Sequence, residues 1–218
     1  MTYNKPYERM DLTTLAAFVP AALAIVVAPG PDTMYTVTRS LGDGRAAGVV
    51  AGCGTATGVL CHTAAAVAGL SALLRASAAA YTLVKYVGAA YLCYLGGRLL
   101  LSDEAFDPTP DGRSRSLAES YRRAVVVNVT NPKVAVFVLA FFPQFVPASA
   151  NAPLQMAVLG VVYAGLSLVY LAGVAFFAGR VRGALLESAR ARRALRYLSG
   201  SVLVGFGVRL VIDERPAL

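Results

Sequence analysis

The sequence predicts an all-α fold: a polytopic membrane protein of six transmembrane helices arranged as a 3+3 inverted repeat, with helices one and four broken. Three observations carry this. Hydrophobic residues make up 57% of the 218 positions, charged residues only 15%, and the mean hydropathy is +0.60. The apolar residues fall into six long runs, each at or near the roughly 20 residues that cross a bilayer core of about 30 Å. Two of those runs are interrupted, at Ala28-Pro29-Gly30-Pro31-Asp32 and at Asn131-Pro132-Lys133. Such a composition excludes an ordinary soluble globular domain.

The runs span Leu12–Leu41 with its break, Ala46–Leu74, Ala79–Leu101, Tyr121–Val146 with its break, Pro153–Gly179 and Leu195–Ile212. Together they make one integral membrane domain over 1–218, with a first repeat at about 12–101 and a second at about 121–213. The first run is longer than the apolar core of a secretory signal, and the charges before it are balanced, so no cleaved signal is expected. It stops at Pro29 and resumes as a half-helix from Pro31 to about Leu41, where Gly42-Asp43-Gly44 turns the chain. The second run carries Gly48 with Gly52 and Gly54 with Gly58, a small-xxx-small spacing that lets helix backbones approach closely in lipid. The third opens at Lys85-Tyr86 and closes at Gly96-Gly97-Arg98, with basic side chains placed to snorkel. A hydrophilic stretch at about 102–120, with Pro108, Pro110 and Gly112, reads as a mobile cytoplasmic linker. The fourth run starts at Tyr121, the fifth is apolar with Gly160, Gly165 and Gly173, and a basic connector leads to the sixth.

The halves resemble one another. A shift of 111 matches Lys85 with Arg196, Tyr86 with Tyr197, Leu92 with Leu203, Gly96 with Gly207, Arg98 with Arg209 and Leu99 with Leu210. A shift of 101 matches Pro31 with Pro132 and sets Asp32 opposite Lys133. Three is odd, so a second copy enters the membrane from the opposite side, the plan of many secondary transporters whose paired Gly/Pro interruptions mark the binding site.

The net charge of +8 is unevenly placed. With six alternating spans, the loops after spans one, three and five hold thirteen of the twenty basic residues, and the other side holds six. Positive residues stay cytoplasmic, which predicts both termini outside. The cluster Arg190–Arg196 is then explained by orientation and anionic headgroups, and no nucleic-acid partner is expected. Cys53, Cys61 and Cys93 lie in apolar runs without CxxC spacing, so neither a metal nor a redox motif is expected. No cofactor is implied.

At each break the proline suits the first position of a new helix, where a missing amide hydrogen costs nothing. Gly30-Pro31 and Asn131-Pro132 therefore predict two half-helix starts, each with free amide hydrogens and a partial positive charge. Irregular backbone at membrane depth requires a cavity or burial in protein. The candidate substrate-binding residues are Gly30, Pro31, Asp32, Asn131, Pro132 and Lys133. Two cationic helix ends, one ammonium and one carboxylate suit a zwitterion, with its carboxylate on the amides or Lys133 and its ammonium on Asp32. A charge kept at that depth costs at least about 2.5–3.5 kcal/mol and needs a task or a partner. The alternative is that Asp32 and Lys133 form a structural pair locking the two broken helices, which could coexist with transport. Asp32 and His62 are the candidates for proton coupling; His62 could also be a hydrogen-bonded packing residue. Tyr163 and Tyr170 could line the cavity or fill space, and Asn128 and Gln144 flank the second break.

The break sequences bear a family resemblance. Ala28-Pro29-Gly30-Pro31 resembles the APGP motif of the lysine, threonine and homoserine exporters (LysE/RhtB type). Asn131-Pro132-Lys133 with Phe137–Val146 (FVLAFFPQFV) is similar to their NPK segment and its FFPQF-like ending, and Tyr86–Leu100 (YVGAAYLCYLGGRLL) to their third-span signature. The resemblance extends over nearly the whole chain. It implies a bacterial inner-membrane exporter of amino acids, driven by proton antiport, with alternating access around the two breaks. Homo-oligomeric assembly stays open. The alternative is export of a cation or another small solute; a membrane-embedded enzyme ranks below it, since no nucleophile–base set is present.

Overall fold

Two proline breaks set the architecture. The computed structural model describes residues 12–76, 78–101, 114–146 and 151–212, the side chains of 70–81, 183–187 and 191–192 apart. Every regular element among the described residues is helical. Helix α1 (Leu12–Val27) bends by 56° into α2 (Pro31–Asp43). Helix α3 is Arg45–Ala76 and α4 is Ala78–Leu101. Helix α5 (Leu117–Val129) bends by 54° into the segment Pro132–Phe145. That segment begins as α6 (Pro132–Val136), widens to a π-helical turn at Phe137–Phe141 and tightens to a 3-10 turn at Phe142–Phe145. Helices α7 (Ala152–Phe176), α8 (Ala178–Glu187) and α9 (Ala189–Ile212) complete the described residues.

Among the described residues, three stretches are each long and apolar enough to cross a membrane, Arg45–Gly69, Ala152–Phe176 and Arg193–Ile212, and counting each bent pair as one span raises the number to five. The protein is a multi-pass membrane protein. Helix α4 has the length, but Lys85, Arg98 and the tyrosines Tyr86, Tyr91 and Tyr94 hold its mean hydropathy down.

Some boundaries move from their expected places. Helix α5 begins at Leu117, not Tyr121, because Ser116 caps it: its hydroxyl accepts the Glu119 amide hydrogen at 3.2 Å, the first half of a capping box. The expected mobile linker therefore ends earlier, and its part at 102–113 lies outside the described residues. The basic connector after the fifth run is itself helical, as α8 and the first turns of α9.

Helix α3 runs along α2, α5 and α7, and its glycines make that possible. A Cβ on Gly52 would come within 3.3 Å of Leu171 on α7, and one on Gly54 within 2.7 Å of Ala124 on α5. Without a hydrophobic drive between helices in lipid, such close packing supplies the attraction. Helices α4 and α9 form a second close pair, where Leu92 and Leu203 are fully buried and Gly207 sits against Cys93 and the Ala89 carbonyl.

The two half-helices that follow the breaks differ in character. Helix α2 buries mainly polar residues, Asp32, Thr33, Thr36, Arg39 and Ser40, with Val37 the apolar one. The segment after Pro132 buries Phe137, Phe141 and Phe142, which make stacked, tilted and edge-on ring contacts with one another and with Phe18, Tyr163 and Phe206 at centroid distances of 4.8–6.4 Å. One side of the breaks is thus lined by hydroxyls, the other by an aromatic plug. The Asp43 carboxylate pairs with the buried Arg39 one turn back and accepts the Arg115 backbone N–H at 3.3 Å, tying the end of α2 to the approach to α5.

Candidate functional site

The break residues meet in the interior, as a crossed clasp. Gly30 is extended (φ −163°, ψ −175°) and Pro31 is the first residue of α2, which places Asp32 in the first turn. Its carboxylate, 8% exposed, reaches the other break: Oδ1 accepts from Asn128 Nδ2 at 3.2 Å and Oδ2 from Asn131 Nδ2 at 2.7 Å. In return Lys133, 6% exposed, reaches back to the first break. Its Nζ donates to the Ile25 carbonyl at 3.2 Å and the Ala28 carbonyl at 2.7 Å.

The chemistry follows from the cut ends of the helices. Interrupting a helix orphans carbonyls before the break as well as amides after it. The negative end of α1 is served by the Lys133 ammonium, a favourable placement for a cation. The positive start of α2 carries the acidic Asp32. Asn131 works twice: its Oδ1 accepts the Lys133 backbone N–H at 3.1 Å as an N-cap, while its amide nitrogen holds Asp32. The expected open amides of the second half-helix are therefore partly occupied by its own capping residue.

Asp32 and Lys133 are not an ion pair: each is held by neutral groups of the opposite break. The direct lock between them is absent because the α1 carbonyls and the asparagine amides lie nearer. Gly30 permits the approach of Lys133, since a Cβ there would stand 3.0 Å from Nζ.

Around this clasp lies a cavity of about 20 Å³, room for about one water molecule. Ile25, Val26, Val134 and Leu171 supply its apolar wall, and Thr33, Thr55, Ser167, Tyr163 and Tyr170 its polar one. Both tyrosines thus line the cavity. Thr55 and Ser167 carry no sequence signal beyond being hydroxyls in apolar helices.

Asn128 is fully buried and links three elements. Its side chain holds Asp32, its carbonyl lies 3.1 Å from His62 Nε2, and its Oδ1 faces the bare backbone of Gly58, where a Cβ would come within 2.5 Å. His62 thereby connects to Asp32 through one residue. A carbonyl only accepts, so the His62 Nε2 carries the hydrogen. Gln144 donates to the Ala140 carbonyl at 3.4 Å, within the π-helical turn and away from the break itself.

A family model described as LysE type translocator matches residues 23–214, which include both breaks. The chain belongs to the LysE type translocator family. An uncharacterized membrane protein of Vibrio cholerae is 31% identical over 201 residues, covering 92% of this chain and 98% of that protein. A homoserine/homoserine lactone efflux protein of Salmonella typhimurium is 30% identical over 194 residues, covering 89% and 94%. A leucine efflux protein of the same species is 28% identical over 201 residues, covering 88% and 92%. No solved structure matches the chain. As a LysE family member it is a membrane transporter and not an enzyme.

Proposed function

We propose that this LysE family member exports amino acids from the cytoplasm by proton antiport, with alternating access around the crossed breaks. The observation that carries the reading is the reciprocal clasp, in which the charge following each proline is held by the opposite break. A zwitterion offers the two groups that could replace these holds. Its ammonium takes the place of an asparagine amide on Asp32, and its carboxylate draws Lys133 from the α1 carbonyls. An ammonium has three donors, and two of those on Lys133 are already used, so one remains to meet an incoming carboxylate. The cavity of about 20 Å³ is too small for an amino acid, so binding parts the two breaks. Relatives named for homoserine and leucine efflux support this substrate class.

The 3+3 inverted repeat belongs to the same proposal, with α4 as the third span. Nearly equal bends of 56° and 54°, each at a proline, support it. So does the pairing of α4 with α9, in which the sequence-matched residues Leu92 and Leu203 are both buried. The excess of basic residues in the loops after spans one, three and five favours both termini outside a bacterial inner membrane. The aromatic plug closes the outer side and the hydroxyl-lined face of α2 leads inward.

The test is flux of a panel of labelled amino acids in inverted vesicles, with and without a pH gradient. Movement of at least one amino acid, accelerated by the gradient, is expected. Asp32→Asn should abolish the acceleration. No amino acid moving under either condition would overturn the reading.

A further inference from the structure

A second concavity lies outside the clasp, between α2 and α5, with a volume of about 660 Å³, within the range of sites that hold drug-sized molecules. Its floor is apolar, formed by Pro31, Met34, Val126 and Val127. Arg115, Arg122 and Arg123 lie at its other end. This zoning is fixed by the helices: α2 and α5 run antiparallel, with the Tyr35 hydroxyl donating to the Ser120 carbonyl at 3.2 Å, so Pro31 lies toward Val127 and the arginines lie a turn or more away.

Among the described residues, one carboxylate at the arginine end serves two of the cations. Glu119 is shared by two arginines, at 3.3 Å from Arg115 Nε and 3.0 Å from Arg123 Nε. Among the described residues no carboxylate pairs with Arg122, which is exposed. Pro31 and Val126 are exposed, one on each of the two bent helix pairs that are apolar enough to be broken membrane spans. Exposed cations at one end of an apolar trough match a molecule with an anionic head and a hydrocarbon tail.

We propose that this groove seats one anionic phospholipid, its phosphate on Arg122 and Arg123 and an acyl chain along Pro31, Met34, Val126 and Val127. A free anion would engage the arginines and leave the apolar floor bare, so the extended floor selects a lipid. Its occupant presses on Pro31, the residue before Asp32, so lipid occupancy bears directly on the hinge of the clasp. The site does not depend on which solute is carried.

The test is native mass spectrometry of the full chain released from mixed micelles of phosphatidylglycerol and phosphatidylcholine. The wild type should retain one phosphatidylglycerol in preference, by about thirtyfold for two arginines at a lipid surface. The double variant Arg122→Gln/Arg123→Gln should lose that preference, and Val126→Trp, which fills the floor without touching charge, should weaken retention at least tenfold. Arg180→Gln/Arg182→Gln, which removes two basic residues that do not line the groove, should retain the lipid. Equal retention of both lipids by the wild type, or a preference unaltered in Arg122→Gln/Arg123→Gln, overturns the site. Full retention in Val126→Trp overturns the acyl seat and leaves only an arginine contact with the headgroup. The readout is lipid retention and not amino-acid flux, so failure here is separable from failure of the transport reading.

Discussion

The Lys133 ammonium donates to the Ala28 carbonyl at 2.7 Å, so a cation on the second break closes the helix that the first break cuts. Asp32 does the converse, drawing the Asn128 and Asn131 amides of the second break onto the start of α2. Each half of the chain completes the other, and the predictions follow from that dependence.

Lys133→Met should remove both hydrogen bonds to α1 while keeping the length of the side chain. Each carbonyl left unserved costs about 1–3 kcal/mol. Lower thermal stability in detergent, together with lost transport, is the expected result. Gly30→Ala, whose Cβ would stand 3.0 Å from Nζ, should give a milder form of both effects.

Gly58→Ala separates helix propensity from the clasp. Alanine in a helix interior is favoured over glycine by about 1 kcal/mol, so α3 alone should be stabilised. Its Cβ, however, would lie 2.5 Å from Asn128 Oδ1 and 2.7 Å from Asn128 Cβ, displacing the amide from Asp32. Transport should fall by about tenfold or more, equivalent to 1.4 kcal/mol in the barrier. Unchanged flux with raised stability would show that Asn128 does not position Asp32.

His62→Gln tests the link through Asn128. Glutamine keeps an N–H donor for the Asn128 carbonyl, whereas alanine does not. If the hydrogen bond is what matters, the glutamine variant retains the pH profile of efflux and the alanine variant loses rate at every pH. A flattened pH profile in His62→Gln would make the imidazole part of the proton path.

Phe137→Ala probes the aromatic plug. Phe137 is fully buried among Phe18, Phe141, Phe142 and Tyr163, and truncating such a ring costs roughly 3–5 kcal/mol. A π-helical turn at this place already departs from regular packing, as such turns do at functional sites. Faster leak of substrate down its gradient, measured in vesicles without a pH difference, is the expected outcome. The conservative Phe137→Leu should restore most of the seal.

Much of this molecule was legible in one dimension. The apolar runs located the helices because an unpaired backbone cannot face lipid, and the prolines located both breaks because they lack an amide hydrogen. The small-xxx-small pairs of α3 marked real helix contacts, since only small residues let backbones approach so closely. The start of α5 was missed by four residues, although Ser116 and Glu119 have the spacing of a capping box.

Partnership was what the linear sequence did not reveal. Opposite charges at matched breaks suggested Asp32 facing Lys133, yet each turned to neutral groups. The orphaned carbonyls at the end of α1 were a consequence of the same break that freed the amides of α2, and a lysine near any cut helix is a natural claimant. Asn128 was legible only as a neighbour of the second break, and Thr55 and Ser167 had no signal at all, because an amide or hydroxyl in an apolar helix looks alike whether it faces lipid, protein or a cavity. The sequence by itself determined where the helices run and where they fail, through hydropathy and proline chemistry that act locally. Only the tertiary structure decided which buried charge meets which helix end. Those partners lie 96 to 108 residues apart in the chain, and folding alone brings the Lys133 ammonium to Ala28-Pro29-Gly30-Pro31-Asp32.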